Sequence, residues 1–128
     1  VHIKTEADIA SFLGTEGCIV YAHAFSTITS VIPSFCKRGD IIVADRGANY
    51  SIRRGLEVSR STIKWYNHND FEDLERVMRK VVQEQAGKKL TRRFLVTEAL
   101  FETTGEINEL PKLVSHRISK HTGRRTTS

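Results

Sequence analysis

Apolar positions along the chain fall into two rhythms, one helical and one extended. Ile9, Phe12 and Leu13 recur at helical spacing, and Gly14 behind them is suited to ending a helix. Thr5, with Asp8 three residues on, predicts the N-cap and acidic first turn of that helix. Cys18-Ile19-Val20-Tyr21 predicts a short buried strand. Phe25, Ile28, Val31, Ile32 and Phe35 return to helical spacing, with Pro33 as an internal irregularity. The turn Lys37-Arg38-Gly39-Asp40 leads into Ile41-Ile42-Val43-Ala44, a continuous apolar run of the kind buried parallel strands show. Asp45 closes it. Residues 48–58 predict a helix with Ile52, Leu56 and Val58 inward, and Thr62–Tyr66 a strand. Asn67-His68-Asn69-Asp70 caps the clearest helix, whose stripe Phe71, Leu74, Val77, Met78, Val81 and Val82 runs to about residue 85. Gly87-Lys88-Lys89 is a loop and Arg93–Ala99 another strand. Gly105 turns the chain, and Leu110-Pro111-Lys112-Leu113-Val114 begins a last helix with Pro near its first turn.

Helices thus alternate with four strands. That order predicts an α/β fold, a mostly parallel sheet flanked by helices with right-handed crossovers. Ligands of such sheets bind beyond the C-terminal ends of the strands. Those ends fall near residues 22–25, 45–49, 66–69 and 99–105.

Composition narrows the class. The 128 residues suit one domain, and 39% hydrophobic with 27% charged residues excludes a disordered chain. No apolar run is long enough to span a bilayer. Val1-His2-Ile3-Lys4-Thr5-Glu6 lacks the basic start and apolar block of a signal peptide. Net charge is +5, but residues 1–109 hold 15 basic and 15 acidic residues. The whole excess lies in Lys112, Arg117, Lys120, Arg124 and Arg125. A neutral body argues against nucleic acid as a partner. Cys18 and Cys36 cannot build a disulfide framework or a four-Cys zinc site, and both read as small buried residues in a reducing compartment.

Local motifs add little. Neither the dinucleotide glycine pattern nor the Walker pattern occurs, and there is no zinc-type His/Cys spacing, so no metal site is expected. His23, His68, His116 and His121 are scattered and read as surface or capping residues. Arg38-Gly39-Asp40 is a strand-entry turn. The sequon Asn49-Tyr50-Ser51 falls in an expected helix and is discounted, and Arg124-Arg125-Thr126-Thr127 reads as a flexible polar terminus rather than a basophilic kinase site. Asp45 and Glu98 each close a strand, where an acid can orient a ligand or cap the next segment; position alone leaves both open.

Longer segments go further. Phe12–Tyr21, Lys37–Asp45, Ser59–Ile63 with His68-Asn69-Asp70, and Thr91–Glu98 with Thr104-Gly105 resemble the α-oxoamine synthase family of pyridoxal-phosphate enzymes. Within it the resemblance is to the first, non-catalytic long-chain-base subunits of serine palmitoyltransferase, in order over roughly residues 1–114. It implies a partial fold-type I aminotransferase large domain over 1–114. The basic stretch 115–128 matches neither the helix nor the strand that follows in that family, and reads as a disordered or aberrant tail.

The resemblance also implies chemistry. Pyridoxal 5'-phosphate would be the cofactor, held mainly by a catalytic long-chain-base partner. That complex would condense L-serine with palmitoyl-CoA to 3-ketosphinganine, at the cytosolic face of the endoplasmic-reticulum membrane. The turn that helps hold the cofactor phosphate in catalytic relatives corresponds to Ala24-Phe25. Their ring-stacking His corresponds to Asn49, whose amide offers no such face. A Ser that often touches the ring hydroxyl corresponds to Glu102. With Asp45 and Glu98, these are the expected cofactor or interface residues. The Schiff-base Lys and the Asp that pairs with the ring nitrogen lie beyond this chain, so no catalytic residue is expected in it and the 128 residues alone would be inactive. Two alternatives remain: a self-sufficient synthase of the same family, or a non-enzymatic module using the basic tail on an acidic partner or anionic membrane.

Overall fold

The computed structural model describes residues 1–89 and 91–121, with side chains through Ser115. Its elements are α1 (His2–Leu13), α2 (Ala24–Phe35), β1 (Ile41–Asp45), α3 (Tyr50–Ser59), β2 (Thr62–Tyr66), α4 (Phe71–Glu84), β3 (Arg93–Val96) and α5 (Leu110–His121). The three strands form one parallel sheet in the order β2-β1-β3. Ile41 is level with Thr62 on one side and Arg93 on the other, so the three strands begin together.

β1 explains the architecture. Every residue of Ile41–Asp45 is buried, because strands cover both its edges and helices both its faces. Its side chains alternate between two cores. Ile41 and Val43 join Tyr66, Leu74, Val77, Val81 and Leu113, beneath α4 and α5. Ile42 and Ala44 join Cys36, Ala48, Ile52 and Leu56, beneath α2 and α3. A strand buried on both faces must be apolar at every position, which is what Ile-Ile-Val-Ala supplies. Gly55 lets α2 and α3 approach: a Cβ there would stand 2.9 Å from Ile32 Cδ1 and 3.0 Å from the Ile28 carbonyl oxygen.

Several expectations are corrected. Cys18–Tyr21 forms no strand, and Ile19 is 73% exposed. A short β-prone run is held as a strand by a ladder partner and a covering face, and among the described residues it has neither. The sheet therefore has three described strands, not four. Cys18 is accordingly only half-buried. The first helix starts at His2, with Val1 as its N-cap, rather than at Thr5. Thr5 Oγ1 donates back to the Val1 carbonyl at 3.2 Å, which suits a residue inside a helix. Only Ala10 of this helix is buried; Phe12 and Leu13 are exposed, so among the described residues its apolar stripe meets no core. Gly14 does end it, in the left-handed conformation. Val58 and Val82 point outward. The strand expected over 93–99 stops at Val96, opposite Ala44, the last residue of β1 to pair with it. No described helix is long and apolar enough to cross a membrane.

Helix α5 continues through His121, past the boundary expected at residue 114. Residues 122–128, with the Arg-Arg-Thr-Thr segment, and the side chains of His116 and His121 lie outside the described residues.

Candidate functional site

Three segments meet beyond the C-terminal ends of the strands: the β1–α3 turn, the β2–α4 turn, and residues 97–108 after β3. Asp45 lies at their centre and has no exposed surface. Its Oδ1 accepts from the Gly47 amide at 2.6 Å and faces His68 Nδ1 at 2.9 Å; its Oδ2 accepts from the Asn69 amide at 3.0 Å. Both oxygens are thus taken by the protein's own turns. Of the two roles open to Asp45 from sequence, this geometry is that of a cap.

His68 carries the link onward. Its Nε2 lies 3.0 Å from Glu106 Oε2 and 3.3 Å from Thr104 Oγ1, and its ring stands edge-on to Phe101 with centroids 4.4 Å apart. The hydrogen bond to Asp45 raises its pKa above 6.5, partly offset by desolvation, with the charges of Asp45 and then Glu106 adding to the rise. Gly47 makes room for the ring: a Cβ there would fall 2.1 Å from His68 Nδ1. Phe101 is wholly buried, and the segment around it folds back as a small hairpin, with the Phe101 amide donating to the Glu106 carbonyl at 2.9 Å and Leu100 bridging Ile107.

Glu98 performs the matching task at the start of α3. Its Oε1 accepts from the Asn49 amide at 2.6 Å and its Oε2 from the Glu102 amide at 3.5 Å. Asn49 in turn caps α3, its Oδ1 accepting from the Ile52 amide at 2.9 Å. Beside it, Tyr50 stacks on Phe25 with centroids 6.1 Å apart and ring planes 21° from parallel, which ties the start of α2 to the start of α3.

The six expected residues therefore divide. Asp45 holds one set of contacts with Gly47, His68 and Asn69, while Glu98 joins the amides of Asn49 and Glu102 in a second, and Phe25 reaches the second through Tyr50 beside Asn49. Ala24 sits at the first position of α2, and its methyl group has no polar atom to join either set. His68 and Phe101 belong to the site and were not expected there. The signal for His68 was its place, directly behind a strand's C-terminal end; the signal for Phe101 was an aromatic in a segment otherwise read as a polar turn.

A phosphorylated cofactor finds a partial fit. The first turn of α2 has no side-chain cap at His23, so its leading amides suit a phosphate. Against this, Asn49 offers no ring face, and Asp45, Glu98, Glu102 and Glu106 make the edge acidic. The lysines of the strand-start loops, Lys37, Lys88 and Lys89, lie at the opposite end of the sheet. The described residues do not make a complete site for an imine-bound cofactor. Among them no cluster of His, Cys, Asp and Glu has the form of a metal site.

Comparison with known proteins gives a consistent picture. The family profile "Aminotransferase class I and II" matches residues 1–121. Long chain base biosynthesis protein 1c of Oryza sativa subsp. japonica is 43% identical over 114 residues, covering 89% of this chain and 24% of that protein. Serine palmitoyltransferase 1 of Dictyostelium discoideum is 40% identical over 117 residues, covering 91% and 24%. A solved structure described as SPT with a PLP internal aldimine superposes with a TM-score of 0.79 at 23% identity, over 94% of this chain and 28% of that one. The chain spans about a quarter of the length of the curated relatives it matches.

Proposed function

The chain belongs to the aminotransferase class I and II family, and from that premise we propose that it is part of a first long-chain-base subunit of serine palmitoyltransferase. The complete assembly condenses L-serine with palmitoyl-CoA, releasing carbon dioxide and CoA and giving 3-ketosphinganine. Pyridoxal phosphate supplies the electron sink when bound and is held mainly by a catalytic partner subunit. This chain's part is structural: it builds one wall of the shared site and stabilises the partner.

The carrying observation is the inward commitment of the polar groups at the strand ends. Asn49, which by the family resemblance corresponds to the stacking imidazole of catalytic relatives, has its side chain engaged in capping α3. Glu98 and Asp45 are engaged in holding turns. Phe25, Tyr50 and Glu102 remain at the surface and are the groups available to a partner or to the acyl-CoA and serine site. The cytosolic face of the endoplasmic-reticulum membrane is the location this role requires.

The experiment is co-expression of the longest native product containing this chain with a catalytic long-chain-base subunit. Co-purification, with 3-ketosphinganine formed only by the pair, is the expected result. Cofactor absorbance and activity from a homodimer of this protein alone would replace the proposal with a self-sufficient synthase.

A further inference from the structure

The body of the chain is neutral in sum but not in space. Its three strands begin level with one another, so the loops that enter them form a single rim. Strand spacing puts those three starts within about 10 Å, close to one Debye length at physiological salt. Lys37, Arg38, Arg60, Lys88, Lys89 and Arg93 lie on these loops or at the strand start, and all are exposed. The loops are also tied together: Ser61 Oγ donates to the Lys37 carbonyl at 3.0 Å, and the Ile41 amide to the Arg92 carbonyl at 3.0 Å.

Nearby acids do not neutralise this rim. Asp40 is buried, and its carboxylate accepts from Arg92 and from the Lys37 amide. Glu57 pairs with Arg54, and Glu84 with Lys64. Helices α3 and α4 end here, and their carboxyl ends together offset about one elementary charge. Six cations against that leave a strong positive excess. Asp45, Glu98, Glu102 and Glu106 gather at the opposite end. Two exposed apolar side chains flank the rim, Phe35 just before the Lys37 loop and Val58 just before Arg60.

We propose that the end of the sheet where the strands begin is a docking surface for anionic lipid headgroups. Clustered lysine and arginine attract a negative leaflet, and exposed apolar side chains among them enter the interface. The apolar neighbours favour a membrane over an acidic polypeptide. Docking by this rim turns the strand C-terminal ends, and the network around Asp45, away from the lipid.

The test is lysine footprinting on the native protein that contains this chain, reconstituted in phosphatidylcholine vesicles with or without phosphatidylserine. An amine-reactive acetylating reagent reports each lysine by mass spectrometry. The expected result is slower labelling of Lys37, Lys88 and Lys89 when phosphatidylserine is present, reversed by high salt, with Lys112 on α5 unchanged. The double substitution Arg38→Ser and Arg60→Asn raises the phosphatidylserine needed for half-protection roughly 30-fold, at about fivefold per charge. Asn tolerates the left-handed backbone at position 60, where φ is 56°. The charge-keeping pair Arg38→Lys and Arg60→Lys retains protection. Labelling that ignores phosphatidylserine overturns the proposal, as does protection that survives loss of both charges. Protection given only by a bound acidic protein assigns the rim to that partner instead.

Discussion

His68 Nδ1 lies 2.9 Å from Asp45 Oδ1, joining the turn after β2 to the buried last residue of β1. The contact raises the imidazole's pKa above 6.5 in the folded chain. A raised folded pKa means that this contribution is complete below about pH 6.5 and is lost as pH climbs through the folded value. The expected outcome is a melting temperature that falls across that window, and that His68→Gln makes flatter there. Solvent screening limits the term to about 0.5–1 kcal/mol. An equal slope in both proteins would remove His68 from the account.

Gly47→Ala tests the same contact from the other side. The new Cβ and the imidazole cannot both be accommodated, so the ring must leave Asp45. A loss of about 1–3 kcal/mol in denaturant unfolding is expected. The His68 pKa, followed by NMR titration, should drop back toward 6.5. Unchanged titration would show that the ring does not stand against Gly47.

Phe101→Ala removes a wholly buried ring that supports both the hairpin and the His68 edge. The cost should be about 3–5 kcal/mol, a large part of a small domain's stability. Hydrogen exchange should rise first at the Phe101 and Asn108 amides, which donate within that hairpin.

Gly55→Ala forces α2 and α3 apart, because one of the atoms in the way is the Ile28 backbone oxygen and not a mobile side-chain tip. A destabilisation of about 1–3 kcal/mol is expected. A neutral substitution would show that the two helices can separate freely.

The two thiols should react differently. Cys36 is buried beside Ile42 and Ala48, and desolvation first, then the Asp40 charge, pushes its pKa up. Cys18 is half-buried. Iodoacetamide should modify Cys18 in the native protein and reach Cys36 only on unfolding. Equal rates would place Cys36 outside the core.

What was legible in the sequence follows from how local each signal is. Ile41–Ala44 announces a doubly covered strand because burial on both faces requires apolar residues throughout. Phe71–Val81 announces α4 because its stripe has a core to meet and Asp70 caps it through the Asp73 amide. Cys18–Tyr21 carries the same kind of signal but, among the described residues, no neighbour to pair with, and a run of four residues cannot reveal that lack. At the site, Asp45 and Glu98 were visible as strand-end acids, whereas their engagement with Gly47, Asn69, Asn49 and Glu102 depends on turns folding together. His68 escaped notice because its partners come from residues 45 and 104–106, on either side of it in sequence.

The strand order β2-β1-β3 has a consequence for the chain as it leaves the ribosome. β1 can pair with β2 once Tyr66 has emerged, but its other side stays open until β3 arrives at residues 93–96. Through the synthesis of α4 and the loop behind it, Ile-Ile-Val-Ala is an unpaired, uncharged edge, the kind of segment that recruits strands from other chains. Nascent-chain pull-down should find chaperones most concentrated on intermediates stalled in this interval. Shortening the loop between α4 and β3 should relieve that demand without altering the finished sheet.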